Sequence, residues 1–396
     1  MVALKMSEGL VAGVGLSFHP SSREAAREAA EQALIQAGLD RAALTLAFVG
    51  CRYADGLPEL LAELERRTGA APVGCSARGV MTAAGERERE DAVAVMVLGG
   101  PGLRATALFK TDLEGHENEV GQALGAKLDT LRQPGDLLML FPDPFHGRAE
   151  PLLDAIGQAC GPLPVVGGAA SEDGELRRTF QFSGSQFGDN ALAAVHLSGP
   201  FRHATGVSHS CHPLGRSRLV TRAQGQLVHE IGGRPAREVF EEVVPAALRE
   251  DPRRIAAHVF VGLPVEPSQD QLVDGEYRVR PILGVDQQSG SLRVAGEVED
   301  GQPLLFLLRE PIGAREDLKR MLAALTEVEP APKVALYFNC CARGSDLYGH
   351  ENIDLAFIQA HFGKIPLLGF FSYAEIAPLR GISLLHSYTG VLTLLS

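Results

Sequence analysis

The sequence predicts an α/β fold of two domains built on repeated strand-helix-strand modules with mixed sheets, with an antiparallel insertion in the C-terminal half. Three observations lead there. Three segments repeat one order of elements. In each, the second apolar run opens with a proline and closes with a glycine. A series of short apolar stretches, separated by turn residues, precedes the third segment.

Taken in chain order, the opening "MVALKMSEGLVAGVGLSFHPSS" reads as a first strand. A helix follows from about Ser21 to Gly38, where "SSRE" offers a capping box. The first module is Leu46 to Thr82 followed by "DAVAVMVLGG", and the second is Leu137 to Glu175 followed by "NALAAVHLSG". The third is Val334 to Pro378 followed by "YTGVLTLLS". Pro72, Pro164 and Pro366 head the second strands, where a missing N–H costs little, and Gly74, Gly167 and Gly369 close them. Such a glycine permits close approach by a neighbouring backbone or a ligand.

A strand, a helix and a neighbouring strand make a right-handed crossover with the two strands parallel. The loops after both strands therefore share one sheet edge, the edge at which open α/β sheets bind ligands. "GPFRHATGVSHSCHPLG" reads as the crossing between halves, which sets domains at residues 1–202 and 203–396. Beyond it, Leu219 to Val244 suggests a hairpin turning at Gly225, a GlyGly turn and a helix beginning near Pro235. "HVFVGLPV", "YRVRPILGV", "SLRVAGEV" and "PLLFLLRE" read as the short strands of the insertion.

The chain of 396 residues carries 37 basic and 49 acidic residues, a net charge of -12 that disfavours nucleic acid and anionic membrane as partners. The N-terminus lacks the basic start and unbroken apolar core of a signal peptide, and no stretch approaches the roughly 18 apolar residues of a membrane span. A soluble, cytoplasmic protein with reduced thiols is expected. Its six cysteines include no CxxC pair.

Chemistry concentrates in three places. In "YFNCCARGSDLYG", Cys340 and Cys341 end an apolar run with Arg343 and Gly344 behind them, and strand alternation lets one sulfur reach the loop edge. Arg343 and a helix after Ser345 would favour a thiolate there. Yet His350, His361 and His386 sit in no recognisable catalytic signature, so a binding surface is preferred to a thiol enzyme. Cys51 and Cys160 read as buried apolar residues.

"GCSARG" supplies Gly74, Cys75, Ser76 and Arg78, and "GFFSYAEIAP" supplies Gly369, Ser372, Tyr373 and Glu375. Hydroxyls and a carboxylate converging with Arg343 would suit a small polar or zwitterionic ligand. In "SHSCHPLG", His209, Cys211 and His212 are candidate ligands for haem or another metal, although the spacing completes no zinc motif.

"YFNCCARGSDLYG", then "IPLLGFFSYAEIAP" and "LLHSYTG", resembles the C-terminal part of FIST domain proteins, a prokaryotic sensory family of signal transduction. "APVGCSARGVM" and "DAVAVMVL" resemble its N-terminal part, and "LVTRAQGQLVHEIGGRPAREVFEEV" the start of its C-terminal part. The resemblance implies a bacterial, intracellular small-ligand sensor without enzymatic activity, with ligands such as amino acids; some members bind haem. It places the family's cysteine, arginine and glycine at Cys340 or Cys341, Arg343 and Gly344, its Gly-Glu-Ile at Ala374, Glu375 and Ile376, and its cysteine before proline at Cys211. Gly79 is followed by Val80, where the family carries a Gly-Glu, so that loop lacks its carboxylate. No output module follows Ser396, so the expectation is a free-standing sensor read by a separate signalling protein.

Overall fold

The computed structural model describes residues 9–266, 268–286 and 288–396; residues 1–8 of the opening stretch lie outside them. In the first module the chain runs β1 (Val11–Ser17), α1 (Ser22–Ala37), β2 (Leu44–Val49), α2 (Leu57–Thr68), β3 (Pro72–Ser76), β4 (Gly79–Thr82), β5 (Gly85–Glu88) and β6 (Val93–Gly99). The order then repeats as β7 (Arg104–Thr111), α3 (Glu117–Asp129), β8 (Leu137–Pro142), α4 (Ala149–Cys160), β9 (Val165–Gly168), β10 (Gln181–Ser183), β11 (Gln186–Gly188) and β12 (Ala191–Ser198).

A third round starts with β13 (His203–His209) and is then interrupted by β14 (Cys211–Pro213), β15 (Arg218–Gln224), β16 (Leu227–Ile231), β17 (Arg234–Pro235), α5 (Ala236–Val243), α6 (Pro252–His258), β18 (Val259–Pro264), β19 (Tyr277–Val285), β20 (Leu292–Val294) and β21 (Pro303–Arg309). It resumes with α7 (Pro311–Val328), β22 (Val334–Cys340), the short α8 (Ser345–Tyr348), α9 (Ile353–Phe362), β23 (Leu367–Ser372), β24 (Glu375–Leu379), β25 (Ile382–His386) and β26 (Thr389–Leu395). The fold class is the mixed α/β arrangement that the repeats predict.

Residues that pack together form two compact units. One holds the described residues up to Val207 with Arg320–Leu385 and Thr389–Ser396; the other holds Ser208–Lys319 and His386–Tyr388. The units interleave along the chain, whereas the sequence reading draws one boundary after residue 202.

In the first unit, β2 and β3, β8 and β9, and β22 and β23 are parallel, as the crossover geometry requires. Each pair lies in a six-stranded sheet of one design: lead-in strand, return strand, first strand, second strand and a hairpin. That hairpin always comes from another module. The orders are β1-β6-β2-β3-β10-β11, β7-β12-β8-β9-β24-β25 and β13-β26-β22-β23-β4-β5.

The glycines of the second strands are explained by this pairing. Gly74, Gly167 and Gly369 stand opposite Ala47, Leu140 and Tyr337, and a Cβ at any of them would overlap the carbonyl oxygen of its partner. Pro164 and Pro366 offer their carbonyls to Leu138 N and Ala335 N at 3.0 and 2.9 Å, and because each stands one residue ahead of its strand, no donor is missing within β9 or β23. One residue beyond Ala47, Leu140 and Tyr337 on the first strands stand Phe48, Phe141 and Phe338. Their ring centroids lie 5.4, 6.0 and 6.4 Å apart, in the core where the three sheets meet.

The first helix follows its sequence cues. Ser21 accepts from Glu24 N at its N-cap and Gly38 ends it at φ 65°. Its buried alanine stripe lies so close on β1 that a Cβ at Gly13 or Gly15 would overlap the carbonyl of Ala33 or Ala29.

In the second unit, the expected hairpin turns at Gly225 and Gly232–Gly233 precede α5. The short strands do more than pair in sequence. β21, β15, β16, β20, β19 and β18 each pair antiparallel with the next, and β18 pairs back to β21, closing a six-stranded barrel around Val228, Val261, Leu292 and Phe306.

Gly369→Ala is expected to destabilise the chain by about 3 kcal/mol, because the new methyl meets a backbone carbonyl that cannot turn aside. Urea unfolding measures it; an unchanged midpoint would contradict the packing role.

Candidate functional site

At the carboxyl ends of β3, β9 and β23, the loops of the first unit are stitched to one another. Ser76 Oγ donates to Ser171 O at 3.0 Å, Ser171 N donates to Ser76 O at 3.1 Å, and Arg78 N donates to Ser171 Oγ at 2.9 Å. Ser171 Oγ in turn donates to Phe371 O. Ala169 N donates to Ala374 O at 2.8 Å and Tyr373 N to Ala169 O at 3.2 Å. The segments carrying Ser76, Arg78, Ser372, Tyr373 and Glu375 are thus brought together, as the repeat geometry predicts. Ser171, on the middle copy, is the hub that the sequence reading did not single out.

Of the paired cysteines, Cys340 is buried at the end of β22 and Cys341 is half-buried just beyond, its N–H donated to Ser372 O at 2.8 Å. Burial pushes the Cys341 thiol up to about 12, with Arg78 and Ser171 acting against that shift. A group held so far above neutral stays a thiol. Cys75 lies in the central core, where burial raises its thiol in the same way.

The sequence sets Arg343 behind the cysteines as their cation; the structure turns it inward. Arg343 is fully buried, with Nε and Nη2 donating to the two carboxylate oxygens of Asp354 at 3.1 Å each. Nη2 also donates to Tyr348 Oη at 2.8 Å. Tyr337 Oη and Asn339 Nδ2 donate to the same Asp354 at 2.8 and 3.2 Å. Asp354 stands in the first turn of α9, a position marked in "ENIDLAF" only as one acid in an apolar helix. The cation beside Cys341 is Arg78, whose guanidinium also lies 3.6 Å from Asp346.

Two further acids arrive from β5. Glu88 accepts from Ser345 N and Oγ at 2.7 and 2.6 Å, and a Cβ at Gly344, whose φ is 59°, would overlap that carboxylate. Glu86 is fully buried and accepts from Asn352 N and Leu355 N. Burial, with Asp354 nearby, raises its carboxyl to about 7. Glu375 is equally buried; Ser372 Oγ and Thr389 Oγ1 each donate to it at 2.7 Å, and desolvation raises it to about 7 despite them.

Tyr373 points the other way. Its hydroxyl donates to Glu172 at 2.8 Å, and its ring meets Phe145 edge-on at 5.6 Å. It lines a cavity of about 240 Å³ at the carboxyl ends of β8 and β9, together with Asp143, Arg148, Glu150, Ala169 and Leu385. Asp143 is itself buried and holds the loop through Phe145 N, His146 and Asn190 N.

The second unit contains His209, Cys211 and His212. The His209 ring packs against Tyr277 and His386, and the His209 backbone N–H donates to Asp317 at 2.6 Å. Cys211 is buried among Phe260, Tyr277, Leu305 and Leu307, and His212 Nε2 lies 3.4 Å from Glu310. Among the described residues, no three His, Cys, Asp or Glu side chains converge as a metal set does. His209 and Cys211 are buried, while His212 is partly exposed beside Glu310.

A FIST N domain model matches residues 43–234 and a FIST C domain model matches residues 236–378. The chain belongs to the FIST family. FIST domains are sensory domains of signal transduction. This FIST protein is 30% identical over 384 residues to an uncharacterized protein of Mycobacterium tuberculosis, covering 96% of this chain and 98% of the relative. A second, of Mycobacterium bovis, is 31% identical over 385 residues at the same coverage. Among solved structures, a chorismatase aligns over 99% of both chains at 10% identity and a TM-score of 0.35. A cyanuric acid hydrolase from A. caulinodans aligns over 49% of this chain and 72% of its own at 11% identity and a TM-score of 0.26. Likeness at that level decides neither fold nor chemistry. Among the described residues, no helix is long and apolar enough to cross a membrane.

Two outcomes are expected of this polar network. Arg343→Ala should cost about 3 to 5 kcal/mol in urea unfolding by stranding Asp354, and adding Asp354→Ala should recover part of the loss. Full additivity of the two substitutions would contradict the pairing.

Glu86 and Glu375 hold their protons to a higher pH when folded, about 7, than when unfolded, about 4.3. Their stabilising contribution is full below the unfolded value and is lost as pH rises through 7. Stability should therefore fall by on the order of 2 kcal/mol for each of the two carboxyls between pH 5 and 8, and Glu86→Gln or Glu375→Gln should flatten that profile. Identical slopes in both variants and the wild type would overturn the assignment.

Proposed function

We propose that this FIST protein senses a small polar ligand, of the size and charge of an amino acid, at the strand ends of its first unit beside Tyr373. The observation that carries the reading is the cavity of about 240 Å³ at the carboxyl ends of β8 and β9. Its lining combines carboxylates, an arginine, a phenol and the apolar Leu385, the mixture that orients a zwitterion. Parallel strands that end together are also where such sheets take ligands.

Tyr373 connects the cavity with the rest of the predicted surface, since its hydroxyl is bound to Glu172 and its segment is stitched to that of Ser171 and Arg78. Ligand contact at Tyr373 would thus bear on loops from all three modules, which suits a protein read by a separate signalling partner. A thiol enzyme is less well supported, because burial holds the half-exposed Cys341 as a neutral thiol.

Thermal-shift and calorimetric screening of amino acids and related small acids tests the proposal. At saturation near 100 times Kd, binding adds about 2.7 kcal/mol, a rise in Tm of a few degrees. Tyr373→Ala and Arg148→Ala should abolish the shift while leaving the unliganded Tm near that of the wild type. Absence of any hit, or hits unaltered in both variants, would sink this site.

A further inference from the structure

The lead-in strands β1, β7 and β13 are the outer edges of the three equivalent sheets, and the structure treats them differently. At β1, Gln36 and Gln32 of α1 accept from Val14 N and Leu16 N at 2.6 and 2.9 Å, closing the edge. At the end of β13, Asp317 of α7 accepts from His209 N. The third helix behaves otherwise. Gly121 and Gly125 of α3 sit so close to α4 that a Cβ there would overlap Ala155 and Ala159, and among the described residues no side chain of α3 accepts from a β7 backbone N–H.

β7 is the most exposed of the three strands. Asp143 N donates to Ala191 O, so Ala191 faces β8 and alternate residues of β12 from Leu192 face β7. By that alternation Ala105, Ala107, Phe109 and Thr111 turn their backbone groups outward. Among the described residues, no hydrogen bond meets them there. A row of four unmatched N–H and C=O groups on a regular eight-residue edge is a template for another strand.

We propose that β7 pairs antiparallel with β7 of a second copy of this chain, joining two six-stranded sheets across a two-fold axis. A two-fold axis normal to the sheet keeps each face on its own side, so residues of equal parity must stand opposite one another. Centring on Ala107 would oppose Arg104 to Lys110, a repulsive pair. Centring on Leu108 instead sets Lys110 opposite Thr106 and brings Arg104 to the strand end of the second copy, where Asp112 follows Thr111. It also matches outward Ala107 with outward Phe109, so both strands bond through groups otherwise left to water. Arg104 makes no ion pair among the described residues, and neither does Asp112. Charge therefore disfavours the first register and favours the second, which is self-complementary.

Sedimentation velocity on the full chain at tens of micromolar tests the proposal, with a dimer expected for the wild type. Ala107→Pro removes an N–H that nothing accepts among the described residues of one chain, and proline is tolerated on an edge strand. It should give a monomer with unchanged circular dichroism and Tm. Arg104→Asp, a surface change that cannot threaten the fold, should weaken association about tenfold or more, and adding Asp112→Arg should restore it. A monomeric wild type, including one that captures an extended peptide instead, overturns the second copy as occupant. So does a dimer that survives both single substitutions.

Discussion

The first unit depends on the meeting of Phe48, Phe141 and Phe338. These rings come from equivalent places on three first strands and pack on one another and on Phe370 within about 6.5 Å, as edge-to-face aromatic clusters do. With those positions pinned together, the three sheets must face inward and their strand ends must emerge side by side. The stitched loops, the buried arginine and the cavity beside Tyr373 all follow from that meeting.

Bringing strand ends together has an electrostatic consequence. Loops that would lie in water on a single open sheet are here enclosed by neighbours, so their polar atoms need partners inside the protein. Asp354 answers Arg343, Glu88 answers the turn at Ser345, Glu86 answers the start of α9, and Glu375 answers Ser372 and Thr389. Glu86 and Glu88 reach into the third module from the first, whereas Asp354 and Glu375 serve neighbours within the third. The result is a polar layer over an aromatic centre, with Tyr373 and Arg78 at its outer side.

Much of this architecture is legible in the residues, because strand, helix, strand, proline and glycine recur three times and each carries a local geometric cause. The equivalent phenylalanines stand in plain view in "LAFV", "LMLF" and "LYFN", yet they register as generic apolar residues until the glycine pairing aligns them. The hairpin exchange could not be read: β4 and β5 look like the natural continuation of β3, and pairing across modules leaves no local trace. The barrel strands are legible one by one, but closure of β18 on β21 is a property of the ring.

Site reading divides similarly. Motif and spacing point to the segments of Ser76, Arg78, Ser372, Tyr373 and Glu375, which hydrogen bonds through Ser171 and Ala169 join, although Tyr373 and Glu375 face different ways. They misdirect Arg343, because an arginine next to cysteines invites an outward reading while its partner, Asp354, hides in an apolar helix.

The exchange of hairpins also governs how the polypeptide can be made. Thr82 lies opposite Leu368 and Gly168 opposite Glu375, so none of the three six-stranded sheets is complete until a strand from a different module has left the ribosome. The β4–β5 hairpin must remain without its sheet through almost the whole of translation, and the barrel is inserted in the wait. Such high contact order makes folding slow and late, and it means that none of the three repeats can be inherited, excised or recombined as an independent part.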